Sequence, residues 1–346
     1  FMREWLSLYD SKSGERGIYN SMSAKRTVER LNGRYRDGSG DNIRRRIARE
    51  DFGTNPCSEI ILRSREFCNL SEVVIRRNDT RESLKAKVKH ATILGTFQST
   101  LTEFKYLSRE WKRNCEEERL LGVSLTGIMD NPLTNGSKKG LDKLLEELRD
   151  VAYETNKEWA EKLGIPPSAA ITCVKPSGTV SQLVDSASGI HARHNPFYIR
   201  TVRADNKDPL CNLMKEMGFP NEPDVTKPDH TTVFSFPMKS PKDAVFRMDM
   251  SALEQLELWK TYATSWCEHK PSVTISVKED EWVDVAAWVY ENFDSISGIS
   301  FLPFSEHVYR QAPYQDCTKE EYEEALKTMP KNVDWAELSK YESQDY

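Results

Sequence analysis

Five short runs rich in β-branched and aromatic residues punctuate the second half of the chain: AAITCV (169–174), FYIRTV (197–202), TTVFSF (231–236), SVTISV (272–277) and GISFL (298–302). Helical patterns separate several of them, as in ALEQLELWKTYATSWCEH (252–269) and EDEWVDVAAWVYENF (279–293). Further upstream, 84–105 and 141–163 carry apolar residues at helical spacing. Strands that alternate with helices bury both faces of a sheet, so the expectation is an α/β fold with largely parallel strands. The Gly-rich NGRYRDGSGDN at 32–42 reads as a loop. No repeat, low-complexity tract or flexible linker interrupts the pattern, and residues 1–346 read as one α/β unit.

Composition narrows the function. Of 346 residues, 38% are hydrophobic and 30% charged, which suits a globular protein with one large core or two ordinary ones. A net charge of −5 gives no global attraction to nucleic acid. The first fifty residues hold twelve Lys and Arg against seven Asp and Glu, and Arg44-Arg45-Arg46 among them reads as a solvated helix face. No apolar run approaches a membrane span and no secretory signal opens the chain. The seven cysteines include no CxxC pair, which argues against a structural zinc site or any other protein-held metal, and an odd number does not suit a disulfide framework. A reducing, cytoplasmic setting follows, in which the thiols that matter are usually catalytic.

Three motifs carry candidate chemistry. In GTNPCSEI (53–60), a thiol is flanked at two-residue spacing by an amide and a carboxylate. Were the segment extended, Asn55, Cys57 and Glu59 would share one side, a row able to act on a substrate hydroxyl beside a sulfur. In ITCVKPSGTVSQL (171–183), a β-branched run enters Pro176-Ser177-Gly178-Thr179 and then a helix start. Such a turn holds a phosphate well, although a plain strand-to-helix connection with a Ser or Thr cap is the commoner use. In REFCNLSEV (65–73), Cys68 is placed to approach Cys57 across a turn, or to serve as an ordinary buried cysteine on a strand. The other five cysteines read as packing residues, Cys115 on a helix, and His191 and His194 as hydrogen-bonded loop imidazoles.

Taken in order, NPCSEI, CNLSEV, GVSLTGIMD (122–130), VKPSGTVSQL (174–183) and HARHNPFYIRTVR resemble the ribonucleotide reductases. The likeness extends to SGERGIYN (13–20) and GISFLPFSEHVYRQAPYQ (298–315), and is strongest to the adenosylcobalamin-dependent class II enzymes, in particular the monomeric ribonucleoside-triphosphate reductases.

The resemblance implies an α/β barrel of the ribonucleotide-reductase type, with a central finger loop around 53–62, of which this chain is the C-terminal half. It implies radical reduction of ribonucleotides to 2′-deoxyribonucleotides, the supply of precursors for DNA replication. Cys57 would become a thiyl radical that takes the 3′ hydrogen, Glu59 the general base for the 3′ hydroxyl, and Asn55 a hydrogen-bonding partner of the hydroxyls. Cys68 matches one thiol of the reducing pair, and Pro176, Ser177, Gly178 and Thr179 the loop that cradles the substrate phosphates. The related class I enzymes pass the radical along two adjacent tyrosines, where this chain reads Phe301-Leu302-Pro303-Phe304. The class III enzymes use a glycyl radical and lack the glutamate. Adenosylcobalamin, whose cobalt belongs to the cofactor, is thus the expected radical source. A thioredoxin-like or other dithiol reductant is the expected partner, with no membrane and no nucleic acid.

Two departures qualify the match. No cysteine precedes Cys57, so the upstream redox partner is missing, and the expected allosteric nucleotide site would lie upstream too. The two-cysteine tail that re-reduces such enzymes is also missing, with only Cys317 near the end at Tyr346. With Phe1 at the start, the expectation is a piece of a longer chain, or one completed by a second polypeptide. Two rivals stand beside this: a glycyl-radical-type enzyme on the same barrel, and a non-catalytic fragment that keeps nucleotide and phosphate binding.

Overall fold

The computed structural model describes residues 1–14, 16–34, 46, 51–304 and 309–342, without the side chains of 32–34. Arg44, Arg45 and most of the expected loop at 32–42 lie outside the described residues; 32–34 end the helix Ser21–Arg34. The described chain divides into two compact units rather than one: Phe1–Ala192 with Asp243–Phe304, and Arg193–Lys242 with Ser305–Tyr346.

The first unit is built on parallel strand segments that neighbour one another in chain order. Asn69–Val74 pairs in parallel with Leu121–Thr126, placing Leu70 beside Gly122 and Glu72 beside Ser124. Leu121–Thr126 is buried at all six positions, as expected of a strand covered on both faces. Its other edge takes the segment 170–174, through Val123 N–H to Ile171 O at 2.8 Å and Cys173 N–H to Val123 O at 3.1 Å. That segment in turn meets 270–272, through Val174 N–H to Lys270 O at 3.3 Å and Ser272 N–H to Val174 O at 2.8 Å. The line continues into Thr274–Val277, which pairs in parallel with Gly298–Pro303, and the short strand Gly17–Tyr19 closes that edge antiparallel. Among the described residues the run stays open; it does not join end to end.

Helices cover one side of the run. Arg81–Gln98 packs on Asn69–Val74 and on Leu141–Leu163, which packs on Ala252–Ser265. Thr80 and Ser251 open two of them with capping boxes, and Gly164 closes Leu141–Leu163 in the left-handed conformation at φ 66°. Trp259 and Trp266 are fully buried and spend their indole N–H groups on Pro271 O (3.0 Å) and Cys173 O (2.7 Å). Truncating either to alanine would cost about 3–5 kcal/mol.

The helix expected over 84–105 stops at Gln98. Its last turns are crowded with hydroxyls that bond back to helix carbonyls, Thr96 to Thr92 O, Ser99 to Thr96 O and Thr100 to Phe97 O, and these compete with helix continuation. The helices expected over 252–269 and 279–293 are Ala252–Ser265 and Trp282–Glu291.

The second unit is a four-stranded sheet in the order Tyr314–Asp316, Phe197–Asp205, Thr231–Lys239, Asn221–Pro223, every pairing antiparallel. The runs at 197–202 and 231–236 therefore do not belong to a parallel sheet. The helix between them, Pro209–Glu216, packs over a small core of Cys211, Phe219 and Phe234. No helix of the described residues is long and apolar enough to cross a membrane.

Candidate functional site

Gly53–Thr54 and Ile61–Leu62 pair antiparallel, making a hairpin whose tip is residues 55–60. Asn55 closes the tip. Its carbonyl accepts the Ser58 N–H at 2.8 Å, and its side-chain Oδ1 accepts the Ile60 N–H at 3.0 Å. Pro56 and Cys57 fill the turn, where proline's fixed φ is at home, and Ser58 adopts φ 65°. The segment is thus a turn and not an extended strand, so the one-sided row expected of Asn55, Cys57 and Glu59 does not form. Cys57 is exposed at the tip, whereas Glu59 folds back and is fully buried.

Several contacts seat this hairpin on the parallel run. His269 Nδ1 accepts the Ile61 N–H at 3.3 Å, while its Nε2, which then carries the proton, donates to Leu121 O at 2.9 Å. Lys270 gives its backbone N–H to Glu59 O at 3.2 Å and its ammonium to Ser58 Oγ at 2.8 Å. Arg46 donates to Ile61 O at 2.7 Å and pairs with buried Glu118 at 3.0 Å. Beneath the tip, Gly122 leaves room: a Cβ there would stand 2.4 Å from Leu70 Cδ2, 3.0 Å from Ile60 Cδ1 and 3.4 Å from Cys173 Sγ.

Glu59 is the electrostatic hub. Among the described residues neither of its carboxylate oxygens has a hydrogen-bond partner, yet its charge acts on Cys68, Glu72, Cys173 and Lys270. Burial, with Glu59 and Glu66 adding, pushes the Cys68 thiol up to about 12 against the pull of Lys175 and Arg46. The Cys173 thiol is raised well above its ordinary value by complete burial. Glu72 is raised by burial, which the hydrogen bonds from Ser177 and Ser124 oppose.

The Pro176–Thr179 turn lies at the end of the neighbouring strand segment. Ser177, buried and at φ 55°, precedes the short helix Gly178–Leu183 without capping it, because its hydroxyl is donated to Glu72. Gly178 and Thr179 are exposed. Gly189, at φ 54°, backs the turn so closely that a Cβ would meet Lys175 O at 2.3 Å. The structure therefore gathers Cys68 and Ser177 around Glu59 and Glu72. It shows no contact between Cys57 and Cys68, both of which are free thiols. Asn55 commits its side-chain oxygen to the turn, which leaves its NH2 as a donor.

Glu72, Gly122, Lys175 and Lys270 were not singled out from sequence. For Glu72 the signal existed: it alternates with Leu70 inside CNLSEV and so shares the strand face that receives the tip. Cys115 is buried on the helix Arg109–Glu118, and Cys173, Cys211 and Cys267 are buried too, whereas Cys317 is partly exposed. His191 accepts from Thr274 N–H at Nε2 and donates from Nδ1 to Ser188 O, and burial lowers its pKa.

No family model matches the chain. Curated relatives do. The adenosylcobalamin-dependent ribonucleoside-triphosphate reductase of Euglena gracilis is 30% identical over 93% of this chain and 42% of its own length. That of Lactobacillus acidophilus is 28% identical over 93% of this chain and 45% of its own. The chain is similar to adenosylcobalamin-dependent ribonucleotide reductases. It spans less than half the length of these two reductases. A crystal structure of a B12-dependent class II ribonucleotide reductase matches 99% of this chain and 50% of its own, with a TM-score of 0.78 at 24% identity, which shows a shared fold. An Actinobacillus ureae class Id ribonucleotide reductase alpha subunit matches more loosely, with a TM-score of 0.54 over 88% of this chain and 61% of its own at 15% identity.

Proposed function

We propose that this chain carries the thiol half of a ribonucleotide reductase centre, which replaces the 2′ hydroxyl of a ribonucleotide by hydrogen. The open run of parallel segments is then half of an α/β barrel, and the hairpin 53–62 its finger loop; a further segment or a second polypeptide completes the barrel. The observation that carries the reading is Glu59, a fully buried carboxylate with no hydrogen-bond partner among the described residues, two residues from an exposed thiol. Leaving such a group unpaired costs several kcal/mol, and a substrate hydroxyl would pair it.

In this reading Cys57, as a thiyl radical, takes the hydrogen atom from C3′, and Glu59 accepts the 3′-hydroxyl proton. The 2′ hydroxyl leaves as water with a proton from the reducing thiol pair. Cys68, kept protonated by its buried setting, is one of two reducing thiols that deliver hydrogen to C2′ and an electron to the sugar as they close to a disulfide; Glu59 returns its proton to the 3′ oxygen, and Cys57 returns its hydrogen to C3′. A dithiol partner then restores the reduced state. The NH2 of Asn55 holds the hydroxyls, and the turn 176–179 the phosphates, with a triphosphate as the favoured substrate.

Adenosylcobalamin suits the surroundings of Cys57: the sulfur and its neighbour Pro56 stand exposed at the tip, open to a bulky cofactor, and Phe301–Phe304 offers no tyrosine. When bound, the cofactor would supply an organic radical able to take hydrogen from a thiol.

The exposure of Cys57 also favours a second reading. A thiyl radical needs shelter from water, so the chain by itself would bind nucleotide without turnover until the tip is covered. Incubation with adenosylcobalamin, a dithiol and a ribonucleoside triphosphate separates the two. Deoxyribonucleotide supports the first reading, whereas phosphate-dependent binding with no product supports the second.

A further inference from the structure

Lys270 is only 2% exposed, an unusual place for an ammonium, and it grips two consecutive residues of the hairpin tip. Its side chain donates to Ser58 Oγ at 2.8 Å and its backbone N–H to Glu59 O at 3.2 Å. The contact depends on a missing side chain elsewhere. A Cβ on Gly298 would stand 2.6 Å from Lys270 Nζ and 2.8 Å from Ser58 Oγ, within the space that the pair occupies.

Fastening alone does not need a charge. A neutral side chain would make one hydrogen bond to Ser58 without the several kcal/mol that burying an ammonium costs. What a cation adds is attraction to the unpaired Glu59 carboxylate. Burial brings the pKa of Lys270 down to about 7, against the opposing pull of Glu59 and Cys267. The residue also lines a cavity of about 190 Å³ together with Arg26, Arg30, Lys260, His269 and Asp294. The acid that faces it from the hairpin is Glu59.

We propose that Lys270 is a positioning residue of this centre: its ammonium fixes Ser58, and with it the relative placement of Cys57 and Glu59, while its charge balances that of Glu59. The role rests on the reading of Cys57 and Glu59 as the reacting pair.

The test begins with the full chain and needs no turnover. Amide hydrogen exchange at Ser58 and Ile60 is followed from pH 6 to 8.5, corrected for its intrinsic pH dependence, in wild type, Lys270→Met, Lys270→Arg and Gly298→Ala. Lys270→Met and Gly298→Ala are expected to lose at least tenfold in protection at the tip, while amides of Leu121–Thr126 keep theirs. Because burial brings the Lys270 pKa down to about 7 in the seated tip, that state binds fewer protons than the opened one, and wild-type tip protection is expected to rise with pH above about 7. Lys270→Arg should keep protection but show no such rise up to pH 8.5, since a guanidinium stays charged in both states. Wild-type protection in Lys270→Met, or a loss spread evenly over tip and core, overturns the proposal. So does a wild-type pH profile that Lys270→Arg leaves unchanged. Turnover adds a separate readout: kcat in Lys270→Met falls at least tenfold with KM nearly unchanged, and an unchanged kcat overturns the role. If wild type forms no deoxyribonucleotide, the functional reading fails while the exchange result still decides the placement of the tip.

Discussion

The hydroxyl of Ser177 donates to the carboxylate of Glu72, tying the turn before Gly178–Leu183 to the strand Asn69–Val74, 105 positions earlier in the chain. Ser124 Oγ reaches the same carboxylate at 3.3 Å and accepts the Lys175 N–H at 2.9 Å, so one acid braces both ends of the turn. Glu72→Ala is expected to destabilise the chain by about 1–3 kcal/mol and to weaken nucleoside triphosphate binding several-fold, while Glu72→Gln, which keeps an acceptor, loses less. Urea unfolding and calorimetric titration check both effects. Wild-type behaviour in Glu72→Ala would remove Glu72 from the site.

Gly189 supports the same turn from behind. Alanine there would have to adopt φ 54° with its Cβ 2.3 Å from Lys175 O, a backbone atom that cannot swing aside. The expected loss is about 2 kcal/mol or more, read by thermal unfolding. A loss under 0.5 kcal/mol would mean that the turn is not held as described.

The base of the hairpin is charged and buried, which makes stability pH-dependent. Burial, the neighbouring Glu118 and a hydrogen bond shared with it push Glu66 from 4.5 up to about 8, and Arg46 and Arg63 oppose this. An acid whose pKa is raised on folding binds more protons folded than unfolded between those values. Its stabilising contribution is complete below about pH 4.5 and is lost as pH rises to about 8. Glu66→Gln should therefore flatten the fall in stability between pH 5 and 8, by up to about 1 kcal/mol per pH unit. Equal slopes in wild type and variant would contradict the burial of this pair.

How much of this was legible follows from how local each feature is. The helix over 141–163 is observed as Leu141–Leu163 because glycines at 140 and 164, in left-handed conformations, bound an apolar repeat. The pairing direction of 197–202 and 231–236 was not legible. A strand carries its β-propensity in its own residues but finds its partner through the rest of the fold. Glu59 and Cys57 were recognisable as a motif, but the turn closed by Asn55 decides that one is buried and the other exposed. Lys270 comes to Ser58 across 212 positions, and no spacing rule spans that distance.

The thiols should differ in reactivity. Cys57 is exposed, whereas Cys68 is partly buried with its thiol pushed up to about 12. Alkylation with iodoacetamide at pH 8, mapped by mass spectrometry, is expected to label Cys57 first, with Cys68 at least tenfold slower because so little of it is thiolate. Labelling of Cys68 ahead of Cys57 would contradict the geometry of the tip.

Formation of deoxyribonucleotide is the decisive measurement, with wild type and Cys57→Ser compared in the presence of adenosylcobalamin, a dithiol and a ribonucleoside triphosphate, together with any polypeptide needed to cover the hairpin tip. Product with wild type and none with Cys57→Ser, at equal triphosphate affinity, is the expected result. Undiminished product from Cys57→Ser would show that this sulfur does not carry the radical.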